Sequence, residues 1–411
     1  MQHCSVYVRL PATMPTTIRL VQYNVRRLMA DSGVSMLDSV AATLRALRPS
    51  IVTLNELDIQ ASPGCVEALA EAAGLEHHAF FGHALGGRYG NAILSSFALR
   101  DPLFLHLDGG SMVKWSADKP AKRIARGALI CTFDIGGGQD GQGGKGGDGS
   151  EGSEGQCPPI SLVCTHLDHI AEAERRVQID HILRVVGERA DERNASCIEG
   201  AVGGSVGGAL GAPKGGPGPV LVAGDLNALK RSDYPSSAWE ELEATNSRNG
   251  WAPPSDSEGS PGGCIHQLEI GNGFTDLFAR AHRPSDDRGS GALDEGKCEG
   301  GGGVRGGRSG GDGGGDGDSS VRDLDPQRKW TAHVEDPKYR IDYVFGNRTL
   351  LEHFDVTGGA VDGGAAGSDH FPVVIDLMLS NMYRSTPLGS QSERTTVANG
   401  AVDSQSNDAK L

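Results

Sequence analysis

Eight polar side chains follow or end short apolar runs that have the length of a β-strand. They are Asn24, Glu56, His166, Asp225, Asn227, Asp342, Asp369 and His370. Carboxylate and amide oxygens are ligands that a hard ion such as Mg²⁺ prefers, and this ion keeps waters and binds substrate phosphate. Two histidines, each oriented by an acid, would hold phosphate oxygens. Together these residue types indicate a metal-dependent site for a phosphate ester.

Each of these residues also has a purely structural explanation. In an extended strand Asp225 and Asn227 project on the same side, but the stretch 224–227 is also typical of an Asx-type turn. A single histidine after a strand is usually held by hydrogen bonds in the core or at the surface, and residues 368–370 resemble a turn or a helix cap. Eight such residues at strand ends are hard to explain as independent caps.

The apolar runs before these residues predict the strands that position them. Residues 17–25 alternate as a strand that places Asn24 near its end, and residues 51–54 form a second strand that leads to Glu56. The segment between them has the i, i+3, i+4, i+7 spacing of an amphipathic helix, formed by Leu37, Val40, Ala41 and Leu44. Parallel strands in this β-α-β unit would put Asn24 and Glu56 at the same edge of a sheet.

Further strands are predicted where the other polar residues occur. Residues 160–164 precede His166, residues 219–223 precede Asp225, and residues 340–345 contain Asp342 within a strand. A final strand at 373–377 follows His370, and a helix after His166 has an apolar face formed by Ile179, Ile182, Leu183 and Val186.

Three glycine-rich tracts, at 136–156, 198–217 and 286–325, hold more than half of the 61 glycines. They are too poor in apolar residues to offset the entropy of ordering the chain, so we predict disordered insertions. Loop-closure entropy penalises long insertions only weakly. The 411 residues are therefore expected to form one catalytic domain at 17–380, with disordered tails at 1–16 and 381–411.

The formal net charge of −15 does not indicate a broad basic field for binding the backbone of nucleic acid. An acidic protein that acts on a phosphate ester would need a divalent cation to offset the repulsion. One dense basic cluster precedes the predicted strand at 128–133 and is either a solvated loop or a contact to substrate phosphate. It consists of Lys114, Lys119, Lys122, Arg123 and Arg126.

The eight cysteines lack CxxC spacing, and no long apolar run precedes Tyr23. We therefore expect neither a zinc site, a signal peptide nor a membrane span. A reduced intracellular setting is favoured, either the cytoplasm or the nucleus, and the protein is expected to be a monomer.

Seven short motifs occur in the order found in the endonuclease/exonuclease/phosphatase superfamily, which this chain resembles over residues 18–377. This superfamily includes deoxyribonuclease-like enzymes and phosphatases, and the segments 166–169 and 340–345 also resemble an uncharacterised plant-type branch. The motifs are Gln22-Tyr23-Asn24, Leu54-Asn55-Glu56, Gly90-Asn91-Ala92-Ile93-Leu94-Ser95, Thr165-His166-Leu167, Gly224-Asp225-Leu226-Asn227, Arg340-Ile341-Asp342-Tyr343 and Ser368-Asp369-His370.

The resemblance implies an α/β fold, a four-layer αββα sandwich of two mixed β-sheets flanked by helices. It also implies that Glu56 is the direct Mg²⁺ ligand, with Asn24 beside it and Asp369 as a further acid on the metal side. Mn²⁺ is an alternative ion. One departure is Asn55, which stands where the superfamily usually has Gln before the metal-binding Glu, and which affects the positioning of that residue.

The remaining site residues receive roles from the same resemblance. Asp225 would orient or deprotonate the attacking water, helped by Asn227. His370, oriented by Asp342, would bind the scissile phosphate, and His166 would contact it from the other side or assist the leaving group.

These expectations define a Mg²⁺-dependent phosphodiesterase, with nucleic acid as the favoured substrate. A lipid or inositol-phosphate phosphoesterase is the alternative enzyme, although no polybasic amphipathic helix supports it. A catalytically inactive module that binds phosphorylated partners is the third alternative.

Overall fold

The computed structural model describes residues 17–114, 120–135, 157–201, 217–248, 263–283, 329–332 and 338–380. Both predicted tails and the predicted insertions 136–156 and 286–325 lie outside these residues, as does 202–216. The second insertion was predicted to begin at residue 198, but the helix before it continues to Ala201. Residues 198–201, the first four of the predicted insertion, therefore belong to this helix.

Six strands form the first sheet. They are β1 (Thr17–Asn24), β2 (Ile51–Asp58), β3 (His77–Ala84), β4 (Tyr89–Ser95), β13 (Phe354–Val361) and β14 (Val373–Leu379). Their spatial order is β13-β14-β1-β2-β4-β3. β1 and β2 are parallel and the other neighbours are antiparallel, so the sheet is mixed.

Six strands also form the second sheet. They are β5 (Arg100–His106), β8 (Gly127–Phe133), β9 (Ile160–His166), β10 (Val220–Asp225), β11 (Thr275–Asp276) and β12 (Asp342–Gly346). Their spatial order is β11-β12-β10-β9-β8-β5, with β9 and β10 parallel. Two short strands, β6 (Met112–Val113) and β7 (Lys122–Arg123), pair separately.

The helices flank the two sheets. They are α1 (Leu37–Leu47), α2 (Cys65–Ala73), α3 (Glu172–Ala201), α4 (Ser236–Arg248), α5 (Cys264–His266), α6 (Leu277–Ala281) and α7 (Arg348–His353). No helix within the described part of the chain combines the length and the apolar character needed to cross a bilayer.

Three apolar clusters hold the layers together. The two sheets pack face to face through side chains such as Leu20 and Ile93 of the first and Leu162 and Leu221 of the second. Val40 of α1 packs in a cluster on the outer face of the first sheet, and α3 contributes to a cluster on the outer face of the second. Each fully buried leucine contributes roughly 1.5–3 kcal/mol. The predicted four-layer αββα sandwich is confirmed.

Strand register brings the polar residues to one edge of each sheet. The β1-α1-β2 unit is parallel as predicted, and Asn24 lies opposite Asn55 in the ladder. In the second sheet Asp225 is the partner of both His166 on β9 and Asp342 on β12. Three strand ends therefore present an imidazole and two carboxylates in adjacent positions.

A buried ion pair supports the strand that carries Asp342. The Arg340 guanidinium is 2% exposed and lies 3.0 Å from the Asp233 carboxylate and 2.7 Å from the Asp276 carboxylate. It also lies over the ring of Tyr343, at 4.6 Å from the centroid. Asp276 ends β11 and caps α6 by accepting from the Ala279 N–H, so these ion pairs join the start of β12 to β11 and to the turn at Arg231–Asp233.

We predict that Asp276→Ala lowers the free energy of unfolding by about 3–5 kcal/mol, because it removes a partner from a buried guanidinium. Urea denaturation followed by circular dichroism measures this change. Asp376→Ala is the control, since the Arg19–Asp376 pair is partly exposed at 39% and 23%, and its loss is expected to cost about 1 kcal/mol or less. Equal losses in the two variants would contradict the prediction.

Candidate active site

The buried amide of Asn55 joins the two sheets at the edge where the polar residues meet. Its oxygen accepts from Gln22 Nε2 at 2.7 Å and from the Asp225 backbone N–H at 2.9 Å. Its nitrogen donates to Asn91 Oδ1 and to the Thr165 carbonyl, both at 3.0 Å. Because the amide uses both lone pairs and both hydrogens, Asn55 fixes where β9 and β10 lie relative to β2.

Gly224 is required where these strands meet. A Cβ atom at this position would lie 1.9 Å from the Thr165 carbonyl oxygen, closer than any side chain permits. That carbonyl is the one that accepts from Asn55. The glycine before Asp225 therefore lets β10 approach the carbonyl while the contact between the sheets is kept.

Asn24 bridges the two acids nearest to it. Its Nδ2 donates to Glu56 Oε1 at 3.1 Å and to Asp225 Oδ2 at 2.9 Å, while its Oδ1 accepts from the Arg26 N–H at 3.0 Å. Two carboxylates from different sheets are therefore held against one amide group. This donation partly offsets the repulsion between the acids.

Glu56 points into the site because β2 is interrupted by a bulge. The register between β2 and β4 shifts between Leu54 and Leu57, and Glu56 has a φ of +62°. A left-handed conformation is unfavourable for glutamate and is maintained here by the surrounding sheet. The bulge leaves Glu56 half-buried between buried neighbours and aims its carboxylate at the site.

Asp225 lies at the centre of the site and is buried. Its Oδ1 accepts from the Asn227 N–H at 3.0 Å, and its Oδ2 lies 3.6 Å from His166 Nε2 and 3.9 Å from His370 Nε2. Burial and the neighbouring Asp342 carboxylate raise the pKa of Asp225 to about 7. Its carboxyl group can therefore exchange a proton near neutral pH.

His370 and Asp342 form a buried pair. His370 Nδ1 lies 2.7 Å from Asp342 Oδ2, and the Asp342 N–H donates to Thr331 Oγ1 at 3.1 Å. Burial acts to lower the pKa of His370, but Asp342 and then Asp225 outweigh it and raise the pKa to about 10. The imidazole is therefore cationic at neutral pH, with Nε2 on the side of Asp225.

His166 lies between the acids and a buried arginine. Its Nε2 is 3.8 Å from Glu56 Oε1, and its Nδ1 is 3.3 Å from one nitrogen of Arg126. Burial and the positive charge of Arg126 lower the pKa of His166 well below its usual value. The ring is therefore neutral, in contrast to the cationic ring of His370.

The remaining two predicted residues lie next to this centre. Asn227 adopts a φ of +50°, and its Nδ2 donates to the Leu167 carbonyl at 3.2 Å, so it shapes the turn that supports Asp225. Asp369 Oδ2 is 3.4 Å from Arg26 Nε and is absent from the two groups of converging metal-ligand atoms found among the described residues. Its predicted role on the metal side stays a prediction.

The donor set fits a hard divalent cation. Ligand atoms of Glu56, His166 and Asp225 lie within 4.8 Å of one another, and so do those of Asp225, Asp342 and His370. In the second group His370 already pairs with Asp342, which leaves Glu56 and Asp225 as the acids available to a cation. A cation there would offset their mutual repulsion.

Four contributors to the site were not among the predicted site residues. Three of them, Gln22, Asn55 and Asn91, appeared in the sequence analysis only as parts of motifs. The signal that could have identified them is an amide side chain within an apolar strand, at a position that is buried. Arg126 belonged to the basic cluster, for which a solvated loop or a phosphate contact was expected. It is instead 6% exposed and bonded to histidines, whereas Lys122 and Arg123 are exposed and Lys119 lies outside the described residues.

The fold and the site define an αββα protein with a buried acid–histidine centre. No family model and no curated protein matches the chain. An endonuclease/exonuclease/phosphatase from Beutenbergia cavernae DSM 12333 is similar in structure, at 17% identity and a TM-score of 0.47, over 89% of this chain and 72% of that one.

Two further solved structures are similar. The catalytic domain of human Nocturnin with bound sulfate anion matches at 14% identity and a TM-score of 0.43, over 89% of this chain and 95% of that one. TDP2 from Caenorhabditis elegans matches at 14% identity and a TM-score of 0.42, over 88% and 74%. Such distant similarity carries no function across, so the site geometry supports the inferences below.

We predict that Asn55→Gln lowers the free energy of unfolding by about 1–3 kcal/mol. The extra methylene must fit an amide site that is fully buried and fully bonded. Urea denaturation measures the change, and Asn272→Gln at an exposed position is expected to stay within about 0.5 kcal/mol. Unchanged stability of Asn55→Gln would show that the shorter amide is not required.

Proposed function

We propose that the chain is a member of the endonuclease/exonuclease/phosphatase superfamily and a Mg²⁺-dependent phosphodiesterase that cleaves nucleic acid by attack of water. One observation carries this proposal. Asp225 of the second sheet is surrounded by Glu56 of the first sheet and by the His370–Asp342 pair. These side chains are close enough to form hydrogen bonds or to bind one metal ion together. An acid that can take a proton, a cationic imidazole and a half-buried carboxylate are the groups that such a hydrolysis needs.

The protein's own groups divide the chemistry. Asp225 orients the attacking water and takes its proton, since its carboxylate is held by the Asn227 and Asn24 donors in a fixed position. His370 donates from Nε2 to a phosphate oxygen, and Asp342 fixes its ring from the other side. His166, whose Nε2 lies near the same Asp225 oxygen as that of His370, donates to the phosphate or to the leaving group.

The cation would be held by Glu56, with Asn24 beside it and Asp225 facing it. Mg²⁺ is the proposed ion because the donor set is rich in carboxylates, and Mn²⁺ is expected to substitute. Such an ion supplies charge stabilisation and orients the phosphate. Asp369, which contacts Arg26, is proposed as a further acid on this side.

We predict that His370→Ala and Glu56→Ala each lower kcat by about 10²–10⁴-fold, since each removes a group that acts on the transition state. The assay uses bis(p-nitrophenyl) phosphate, single-stranded DNA and RNA, with Mg²⁺. His78→Ala is the control, because this exposed histidine lies on β3 and pairs only loosely with Glu67, at 3.8 Å.

Thermal unfolding of each variant shows whether it is folded. Wild-type rates in folded His370→Ala would overturn the assignment. Cleavage of sphingomyelin or a phosphoinositide without cleavage of either nucleic acid would contradict the nucleic-acid substrate and favour the lipid alternative.

We predict that EDTA abolishes cleavage and that Mg²⁺ or Mn²⁺ restores it, because the acids around Asp225 need a cation to accept an anionic substrate. Isothermal titration of the protein with Mg²⁺ provides a measurement independent of activity. Glu56→Gln keeps the shape of the side chain but removes its charge, and it is expected to weaken binding by about tenfold or more. Full activity in EDTA would exclude a metal-dependent reaction.

A further inference from the structure

Arg126 is the last residue before β8, and its side chain is buried next to the site, with 6% of the residue exposed. One terminal nitrogen of its guanidinium lies 3.3 Å from His166 Nδ1, and the other lies 2.9 Å from His169 Nδ1. Its backbone carbonyl accepts from the Leu107 N–H at 3.0 Å, which fixes the chain at this point. A single buried cation therefore contacts two imidazoles that stand three residues apart.

The chemistry of arginine determines which ring nitrogens carry hydrogen. A guanidinium has five N–H donors and no acceptor, and it stays charged in proteins. Both contacted Nδ1 atoms must therefore accept, so in each neutral ring the hydrogen is on Nε2. Burial and Arg126 lower the pKa values of His166 and His169, in agreement with neutral rings.

The hydrogen on His166 Nε2 faces the catalytic centre. Within an imidazole the two nitrogens point in divergent directions, so a ring whose Nδ1 faces Arg126 turns its Nε2 away from it. That Nε2 lies 3.6 Å from Asp225 Oδ2 and 3.8 Å from Glu56 Oε1. The opposite tautomer would present a lone pair to two carboxylates and would donate nothing to a phosphate oxygen.

We propose that Arg126 is a positioning residue that locks His166 in the Nε2–H tautomer, with His169 holding the second nitrogen of the guanidinium. The catalytic consequence rests on the proposed function, whereas the tautomer itself does not. His166 then presents a fixed Nε2–H donor beside Asp225. It complements His370, whose ring is fixed by an acid and is cationic.

Other ionisable groups face this cluster without replacing Arg126. His83 is buried near it, and neither of its ring nitrogens has a hydrogen-bond partner among the described residues. The Asp168 carboxylate is occupied by Ser111 and by the N–H groups of Ile170 and Ala171. His166 Nδ1, the ring nitrogen that faces away from the acids, therefore accepts its hydrogen bond from Arg126.

The first experiment reads the tautomer directly. Protein labelled with nitrogen-15 in its 13 histidines is studied by long-range proton–nitrogen correlation, and the His166 signals are assigned by their loss in His166→Gln. The wild type is expected to show a protonated ε2 nitrogen and an unprotonated δ1 nitrogen. In Arg126→Met, which removes the donor at similar volume, the two tautomers are expected to mix. A protonated δ1 nitrogen in the wild type would overturn the proposal.

The second experiment measures kcat and KM on bis(p-nitrophenyl) phosphate with Mg²⁺. Arg126→Met is expected to lower kcat by about 10–100-fold, with KM changed by less than about threefold, because the phosphate is still bound but the donor is no longer fixed. Arg126→Lys keeps a cationic donor for one imidazole and is expected to recover part of kcat. Arg348→Met removes a charge that is 82% exposed on α7 and serves as the control.

His169 is tested by a matched pair of variants. His169→Gln keeps an acceptor for the guanidinium and is expected to retain more of kcat than His169→Leu, which has none. Wild-type kcat in folded Arg126→Met would overturn the positioning role. A wild type with the expected tautomer but no phosphodiesterase activity would overturn the proposed function, while it would support the assignment of Arg126.

Discussion

The arrangement of the site depends on one buried amide, that of Asn55, at one end of a largely apolar interface between the sheets. A polar group in such a place is tolerated only when it is fully bonded, since each unpaired donor or acceptor would cost about 1–3 kcal/mol. Asn55 meets that condition with contacts to β1, β4, β9 and β10. The requirement fixes the relative position of both sheets at the end where Asp225 lies, and the absent side chain of Gly224 makes the close approach feasible.

The second constraint is the balance of charge around Asp225. Three carboxylates, those of Glu56, Asp225 and Asp342, approach one another in a largely buried volume, and the cationic ring of His370 contacts Asp225 and Asp342. Burial is the main cause of the raised pKa of Asp225, and the second cause is repulsion from the Asp342 carboxylate. The proposed divalent cation would offset it and would attract an anionic substrate to an acidic protein. Neighbouring charge also makes the pKa values of the two imidazoles differ, because the His370 ring is fixed by an acid and the His166 ring by an arginine.

The outline of the fold could be derived from hydrophobic periodicity. Strands ending at Asn24, His166 and Asp225 are found where the apolar patterns end, because buried strands need apolar residues and their ends face solvent or the site. The glycine-rich composition was less informative about boundaries, as α3 shows by its extension to Ala201. Asp369 shows another limit, since its position beside His370 did not reveal the contact with Arg26.

By itself, the sequence determined the order of the strands along the chain and which polar residues end them, because both follow from local patterns of two to four residues. Only the tertiary structure decided how those ends meet. The bulge that aims Glu56, the amide network of Asn55 and the fork of Arg126 between His166 and His169 join residues that are distant in the chain. Such contacts depend on strand register and sheet packing, which no local pattern encodes.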